Sequence, residues 1–250
     1  MVRPRPAVRS RLKSVQWDDY DAVLFDLDGV ITPTAEVHMR AWAQMFGAVL
    51  ADRGIDAPYT DNDYFTYVDG KPRYEGVRSF LASRGIEVPE GSPDDDPDTE
   101  TIGGLGNRKN AVFEDVLARD GVRAYPGSVA LVDALEARGL PMAIVSSSRN
   151  APKVLEAAGL LDRFAIIVDG TVAAERGLPG KPAPDTFLHA ARELGVPAAR
   201  AVVLEDALSG VAAGRAGDFG LVIGVDRGVG ADQLRDHGAD EVVADLQELV

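Results

Sequence analysis

The sequence predicts an α/β fold: a parallel sheet flanked by helices, with a helical segment inserted after the first strand. Short apolar runs alternate with helical patterns along most of the chain, an alternation that favours parallel strands covered on both faces. Several of these runs end abruptly in polar, chemically active residues. The long stretch after the first run instead reads as mainly helical.

The first run is Asp21-Ala22-Val23-Leu24-Phe25, which stops at Asp26-Leu27-Asp28-Gly29. Runs of the same kind cover Met142 to Val145, Phe164 to Val168, Ala201 to Leu204 and Leu221 to Val225, with Glu241-Val242-Val243 as an edge strand. Helices are expected over Ser128 to Arg138, which ends before Gly139, over Ala151 to Ala158, and over Pro184 to Leu194. Within the insert, Val37, Ala41, Met45 and Val49 share one helix face. Pro89-Glu90-Gly91-Ser92-Pro93-Asp94-Asp95-Asp96-Pro97 reads as an acidic, turn-rich loop. No internal repeat is evident.

The 250 residues suffice for a sizeable core, and 46% hydrophobic with 26% charged residues is ordinary for a soluble globular protein. A net charge of -14 argues against nucleic acid and anionic membrane as partners, because both require a basic surface. A small phosphorylated ligand is still compatible, since one pocket can be locally positive. The absence of cysteine excludes disulfides, thiolate catalysis and cysteine-based zinc sites, and fits a cytoplasmic location. No apolar run reaches the roughly 18 residues of a membrane span. The opening MVRPRPAVRSRLK is basic and broken by proline, and reads as a disordered tail over residues 1–17.

The chemistry is expected beyond the carboxyl ends of the strands. Asp26 and Asp28, two apart and followed by Gly29, fit a tight turn as well as a catalytic loop. Asp206, after Ala201-Val202-Val203-Leu204-Glu205, adds a carboxylate at a second strand end. Carboxylates gathered there repel unless a cation sits among them, and magnesium suits hard oxygen ligands beside phosphate. A structural calcium is the competing reading, but the spacing lacks the compactness of a calcium loop. Ser146-Ser147-Ser148 closes the Met142 run, with Asn150 opening the next helix; such a group can bind an anion or simply cap the helix. Lys181, in Gly180-Lys181-Pro182-Ala183-Pro184-Asp185, is a cation on a stiff turn.

The order Asp-x-Asp, Ser, Lys, Glu-Asp resembles the haloacid dehalogenase-like superfamily over essentially everything after residue 18. Phe25-Asp26-Leu27-Asp28-Gly29-Val30-Ile31-Thr32 is the most telling phrase. The resemblance implies a Rossmann-like core over 18–33 and 121–250, and a helical cap domain over 34–120. It implies that Asp26 attacks phosphorus, that Asp28 is the general acid/base, and that Ser146 and Lys181 bind the transferring group. Asp26, Asp28 through its backbone carbonyl, Glu205 and Asp206 would organise Mg2+.

Within the superfamily the cap residues resemble the beta-phosphoglucomutase-like subgroup. Thr34-Ala35-Glu36-Val37-His38 looks like its entry into the cap, with His38 near the general acid, or packed as an ordinary helix residue. Gly70-Lys71-Pro72-Arg73 looks like its loop for the distal phosphate, and Lys109 like its sugar-reaching lysine. Ser147, Ser148, Arg149 and Asn150 resemble its second phosphate-contacting segment. The implied activity is a sugar-phosphate mutase acting through a 1,6-bisphosphate; a sugar- or polyol-phosphate phosphatase is the alternative. A monomer is expected. Two departures stand out: Pro33 in place of a hinge acid, and the lengthened acidic loop at Asp94 to Asp98.

Overall fold

The computed structural model describes residues 15–250. Six strands form one parallel sheet: β1 (Ala22–Phe25), β2 (Met142–Val145), β3 (Ile166–Val168), β4 (Ala201–Glu205), β5 (Leu221–Val225) and β6 (Glu241–Val243), in the order β3-β2-β1-β4-β5-β6. The order reverses between β1 and β4, the crevice where ligands of open α/β sheets bind. Phe25 is in register with Ile144 on one side and Leu204 on the other, so the Asp26, Ser146 and Glu205 segments leave the sheet at one level.

The β1, β2 and β4 strands are buried throughout, as strands covered on both faces must be. One apolar layer holds Phe25, Leu131, Ile144 and Leu204, and the other holds Leu24, Val145, Phe187 and Val203. The sheet-covering helices are α5 (Pro126–Ala137), α6 (Ala151–Ala157), α7 (Gly170–Arg176), α8 (Asp185–Glu193), α9 (Leu208–Ala216) and α10 (Ala231–Asp236). The α5 helix begins two residues before the expected start because Pro126 opens it, its missing N–H costing nothing in the first turn. The β3 strand is shorter than the expected run: Phe164 and Ala165 lead into it, with Ala165 N already donating to the Met142 carbonyl at 3.0 Å.

Between β1 and α5 lie α1 (Thr34–Asp52), α2 (Asp61–Asp63, continuing as a π turn over Tyr64–Val68), α3 (Arg73–Ser83) and α4 (Ile102–Asp120). On α1, Ala41, Met45 and Val49 are buried as the periodicity predicts, while Val37 is partly covered. These helices have an apolar centre of their own, in which Trp42, Phe46, Tyr59 and Phe80 stack or meet edge to face. The acidic loop between α3 and α4 folds on itself: the Asp95 carboxylate accepts from Ser92 N at 3.0 Å and Thr101 Oγ1 at 2.6 Å.

Of the segment read as a tail, residues 1–14 lie outside the described residues. Its end packs against the sheet layer: Trp17 is buried, and its indole donates to the Leu249 carbonyl at 3.2 Å. Among the described residues no helix is long and apolar enough to cross a membrane.

Candidate active site

The ends of β1, β2 and β4 and the turn before α8 converge on Lys181. Its ammonium donates to Asp26 Oδ1 at 2.6 Å, Glu205 Oε1 at 2.6 Å and the Val145 carbonyl at 3.0 Å. Lys181 and Glu205 are buried, so these bonds form in a low dielectric where an unpaired charge would be costly. Burial opposes the lysine charge, but Asp26 and Glu205 outweigh it and hold the proton on Lys181 above the ordinary lysine range. Burial pushes the Asp26 carboxyl up; Lys181 pulls it back, and Glu205 and Asp28 add to the rise. The other Glu205 oxygen accepts from Ala207 N at 2.8 Å, which fixes the loop that carries Asp206.

Asp26, Glu205 and Asp206 each offer a carboxylate oxygen, all within 4.8 Å of one another. Asp206 is only 8% exposed, and no hydrogen bond to its carboxylate is present among the described residues. Burial raises its pKa, and Asp69, Glu205, Asp26 and Asp28 raise it further. Gly29, at φ +84°, lies directly beneath: a Cβ there would come 1.8 Å from Asp206 Oδ2, so only glycine lets this carboxylate stand in the site. An orphaned buried carboxylate beside two others is a donor set suited to a hard divalent cation.

The Asp28 side chain turns the other way. It accepts a hydrogen bond from Thr34 Oγ1, and Asp28 Oδ1 lies 3.4 Å from His38 Nε2. Burial would raise Asp28, but His38, Thr34 and Lys109 together bring it below the usual carboxylate range. Behind His38 stands Lys109, in contact through His38 Nδ1 and lying over the Trp42 and Phe113 rings at 5.0 and 5.1 Å. Burial, with Arg73 nearby, lowers Lys109 to about 7, although Asp28 resists. His38 is lowered as well, by burial and then by Lys109. The chain is thus Asp28, His38, Lys109, running from the sheet end into the helical segment.

A cavity of about 520 Å³ joins this centre to a second, basic end. There Arg73 Nη2 donates to Asn110 Oδ1 at 2.6 Å, and Asn150 Nδ2 donates to the same oxygen at 2.8 Å. Arg149 stands at the mouth, its guanidinium carbon 5.8 Å from the Tyr74 ring centre. Neither Arg73 nor Arg149 forms an ion pair with a carboxylate among the described residues. The segments are tied together by backbone contacts: Ser147 Oγ donates to the Gly70 carbonyl at 2.7 Å, and Ser209 Oγ to the Asp69 carbonyl at 3.0 Å.

Of the remaining expected residues, Ser146 is buried at the β2 end and its hydroxyl accepts from Ser148 N at 3.1 Å. Ser148 in turn accepts from Asn150 N at 3.1 Å. Lys71 lines the cavity from the turn before α3 but donates to Ser79 Oγ on that helix at 3.0 Å, so nothing ties its ammonium to the carboxylate centre. Asn150 opens α6 without using its side chain as a cap, because that amide is committed to Asn110.

Sequence reasoning missed Asp69, Tyr64, Tyr74 and Asn110. Asp69 lies in the cavity wall, and burial raises its pKa to about 7 while Tyr64 pulls it down. Its sequence signal was slight, a carboxylate one residue before the Gly70 loop.

A family model for haloacid dehalogenase-like hydrolases matches residues 20–218, which takes in every carboxylate above and Lys181. The chain belongs to that family. A beta-phosphoglucomutase of Mycobacterium tuberculosis is 52% identical over 255 residues, covering 98% of this chain and 97% of its own. The Bacillus subtilis beta-phosphoglucomutase is 36% identical, with 91% of each chain covered. The Clostridium difficile beta-phosphoglucomutase structure, 24% identical, covers 92% of this chain and 93% of its own at a TM-score of 0.75, and shares the fold.

Proposed function

We propose that the chain is a beta-phosphoglucomutase, interconverting beta-glucose 1-phosphate and glucose 6-phosphate through an aspartyl phosphate and a 1,6-bisphosphate. The observation that carries this reading is the two-ended cavity. Carboxylates and Lys181 occupy one end, and the Arg73 and Arg149 guanidinium groups, without carboxylate ion pairs among the described residues, occupy the other. A phosphatase needs only the first end and water. A mutase must hold a bisphosphate by both ends and present either one to the nucleophile. The 52% identity with a relative of that name, over nearly the whole of both chains, supports the same reading.

In this reading an Asp26 carboxylate oxygen attacks phosphorus, and the bond from phosphorus to the leaving oxygen breaks. Asp28 gives the departing oxygen its proton, and takes one back from the sugar hydroxyl that accepts the phosphoryl group in the return step. His38 and Lys109, both held short of full charge by burial, set the proton affinity of Asp28 from behind. Lys181 and the Ser146 segment balance charge on the transferring group. Asp26, Glu205, Asp206 and the Asp28 backbone carbonyl are the groups that would hold magnesium, which screens the repulsion between carboxylate and phosphoryl group. Residues 34–120 act as a cap that excludes water once Ser147 and Ser209 grip the Asp69–Gly70 backbone. We assign the enzyme to the cytoplasm, acting as a monomer.

The test follows both products at once, with magnesium, beta-glucose 1-phosphate and a trace of glucose 1,6-bisphosphate. Glucose 6-phosphate is expected to form much faster than free phosphate. Free phosphate without isomerisation would overturn the mutase reading and leave a phosphatase.

A further inference from the structure

The basic end of the cavity sets two like charges side by side with no anion between them. Burial lowers the Arg73 guanidinium from its ordinary value, and the nearby Arg149 lowers it further. Side chains arranged like this separate unless something holds them. Both lie near the ring of Tyr74, the Arg73 guanidinium carbon 5.9 Å from its centre and that of Arg149 5.8 Å from it. The negative π-face of an aromatic ring attracts guanidinium groups, and this attraction grows as water is excluded.

The ring itself is fixed from two directions. Its hydroxyl donates to Asn107 Oδ1 at 3.0 Å, and Arg73 Nη1 reaches the same oxygen at 3.4 Å. Underneath is Gly106 of α4: a Cβ at that position would come 2.7 Å from the Tyr74 ring. A glycine inside a helix is ordinarily a cost relative to alanine. Here the missing side chain leaves room for the ring against the helix. Asn107 is held in turn, its amide donating to the Pro93 and Asp95 carbonyls at 2.9 Å each. The acidic loop that lengthens the helical segment therefore braces the ring.

We infer that Tyr74 is a positioning residue for the distal phosphate: its ring, seated on Gly106, holds Arg73 and Arg149 together so that one dianionic group meets both. The inference rests on the mutase reading and deepens it. Tyr74 touches no reacting atom, so its effect belongs in the recognition of the second phosphate and not in the phosphoryl-transfer step.

The test compares two substrates on the full chain. Beta-glucose 1-phosphate with the 1,6-bisphosphate primer uses both ends of the cavity, whereas p-nitrophenyl phosphate supplies only a transferring group. Tyr74→Leu is expected to raise the primer's half-saturating concentration about tenfold, with kcat little changed. Its p-nitrophenyl phosphate hydrolysis should match wild type. Tyr74→Phe keeps the ring and should recover most of the loss. Gly106→Ala, which pushes the ring without removing it, should reproduce the Leu defect.

An unchanged half-saturation in Tyr74→Leu and Gly106→Ala would overturn the inference. So would a Phe variant as impaired as Leu, or an equal loss on both substrates. Failure of the mutase reading looks different: the wild-type enzyme would then show no response to primer at all. Should Tyr74→Leu fold poorly, Phe and Gly106→Ala decide the matter between them.

Discussion

The two ends of the cavity are built on opposite plans. At the sheet end the atoms come from strand termini locked in register, and the central contacts are buried charge pairs: Lys181 with Asp26 and Glu205. At the distal end the atoms come from helices and loops, and the Arg73 and Arg149 guanidinium groups are met by neutral groups: Asn107 and Asn110 at Arg73, and the Tyr74 ring beside both. The first plan fixes reacting atoms to fractions of an ångström, as chemistry requires. The second leaves a basic surface whose missing partner is the ligand itself. The lysine–carboxylate pairs of the sheet end form without substrate, and the distal end is completed by it.

The most severe way to break this comparison is Asp26→Asn. If the sheet end alone does chemistry, this change should cut turnover by about 10⁴-fold or more. Binding of glucose 1,6-bisphosphate, measured by calorimetry, should persist because the distal groups are untouched. Loss of binding along with turnover would mean that the two ends do not act separately.

A smaller and more selective effect is expected from Arg73→Ala. Removing a partly buried guanidinium that meets a phosphate should raise KM for beta-glucose 1-phosphate by about 10- to 100-fold. Hydrolysis of p-nitrophenyl phosphate should stay close to wild type. Steady-state rates on the two substrates, taken side by side, check this, and an equal fall in both would place Arg73 in the chemistry.

The same contrast explains what the sequence disclosed. Asp26, Asp28, Glu205 and Asp206 were legible because each lies at the end of an apolar run that reads as a buried strand, and strand ends in a parallel sheet share one edge. The motif order then favoured a catalytic loop over a plain turn at Asp26 and Asp28. Lys181 was legible through its stiff Pro-rich turn and its place in the motif order. Residue pairings were not legible. Nothing in the spacing says that Lys181 bridges Asp26 and Glu205 while Asp28 turns to Thr34 and His38. At the distal end even the residue list was partial. Arg73 and Lys109 came from resemblance, whereas Tyr74 and Asn110 owe their place to the packing of α3 on α4, which no local pattern encodes. Lys71 shows the limit from the other side: a cation in the right loop whose ammonium is bound to Ser79.

The smallest expected effect concerns Lys109, where the two plans meet. Its ammonium is buried on two aromatic rings, and burial brings its pKa to about 7 against an unfolded value of 10.5. The sign follows from proton counting. Between those two pH values the unfolded chain holds a proton that the folded chain has given up, so stability from this site rises as pH rises. Below about pH 7 the folded state carries the full penalty of a buried charge, and above about 10.5 it carries none. Lys109→Met removes the titrating group while keeping much of the packing. In the substrate-free protein its melting temperature should therefore gain most on wild type near pH 6, and the gap should narrow steadily towards pH 10. Melting curves of both proteins across that range check it. A gap independent of pH would show that Lys109 keeps its proton in the folded protein, and that the charge at the junction is paired more strongly than its surroundings imply.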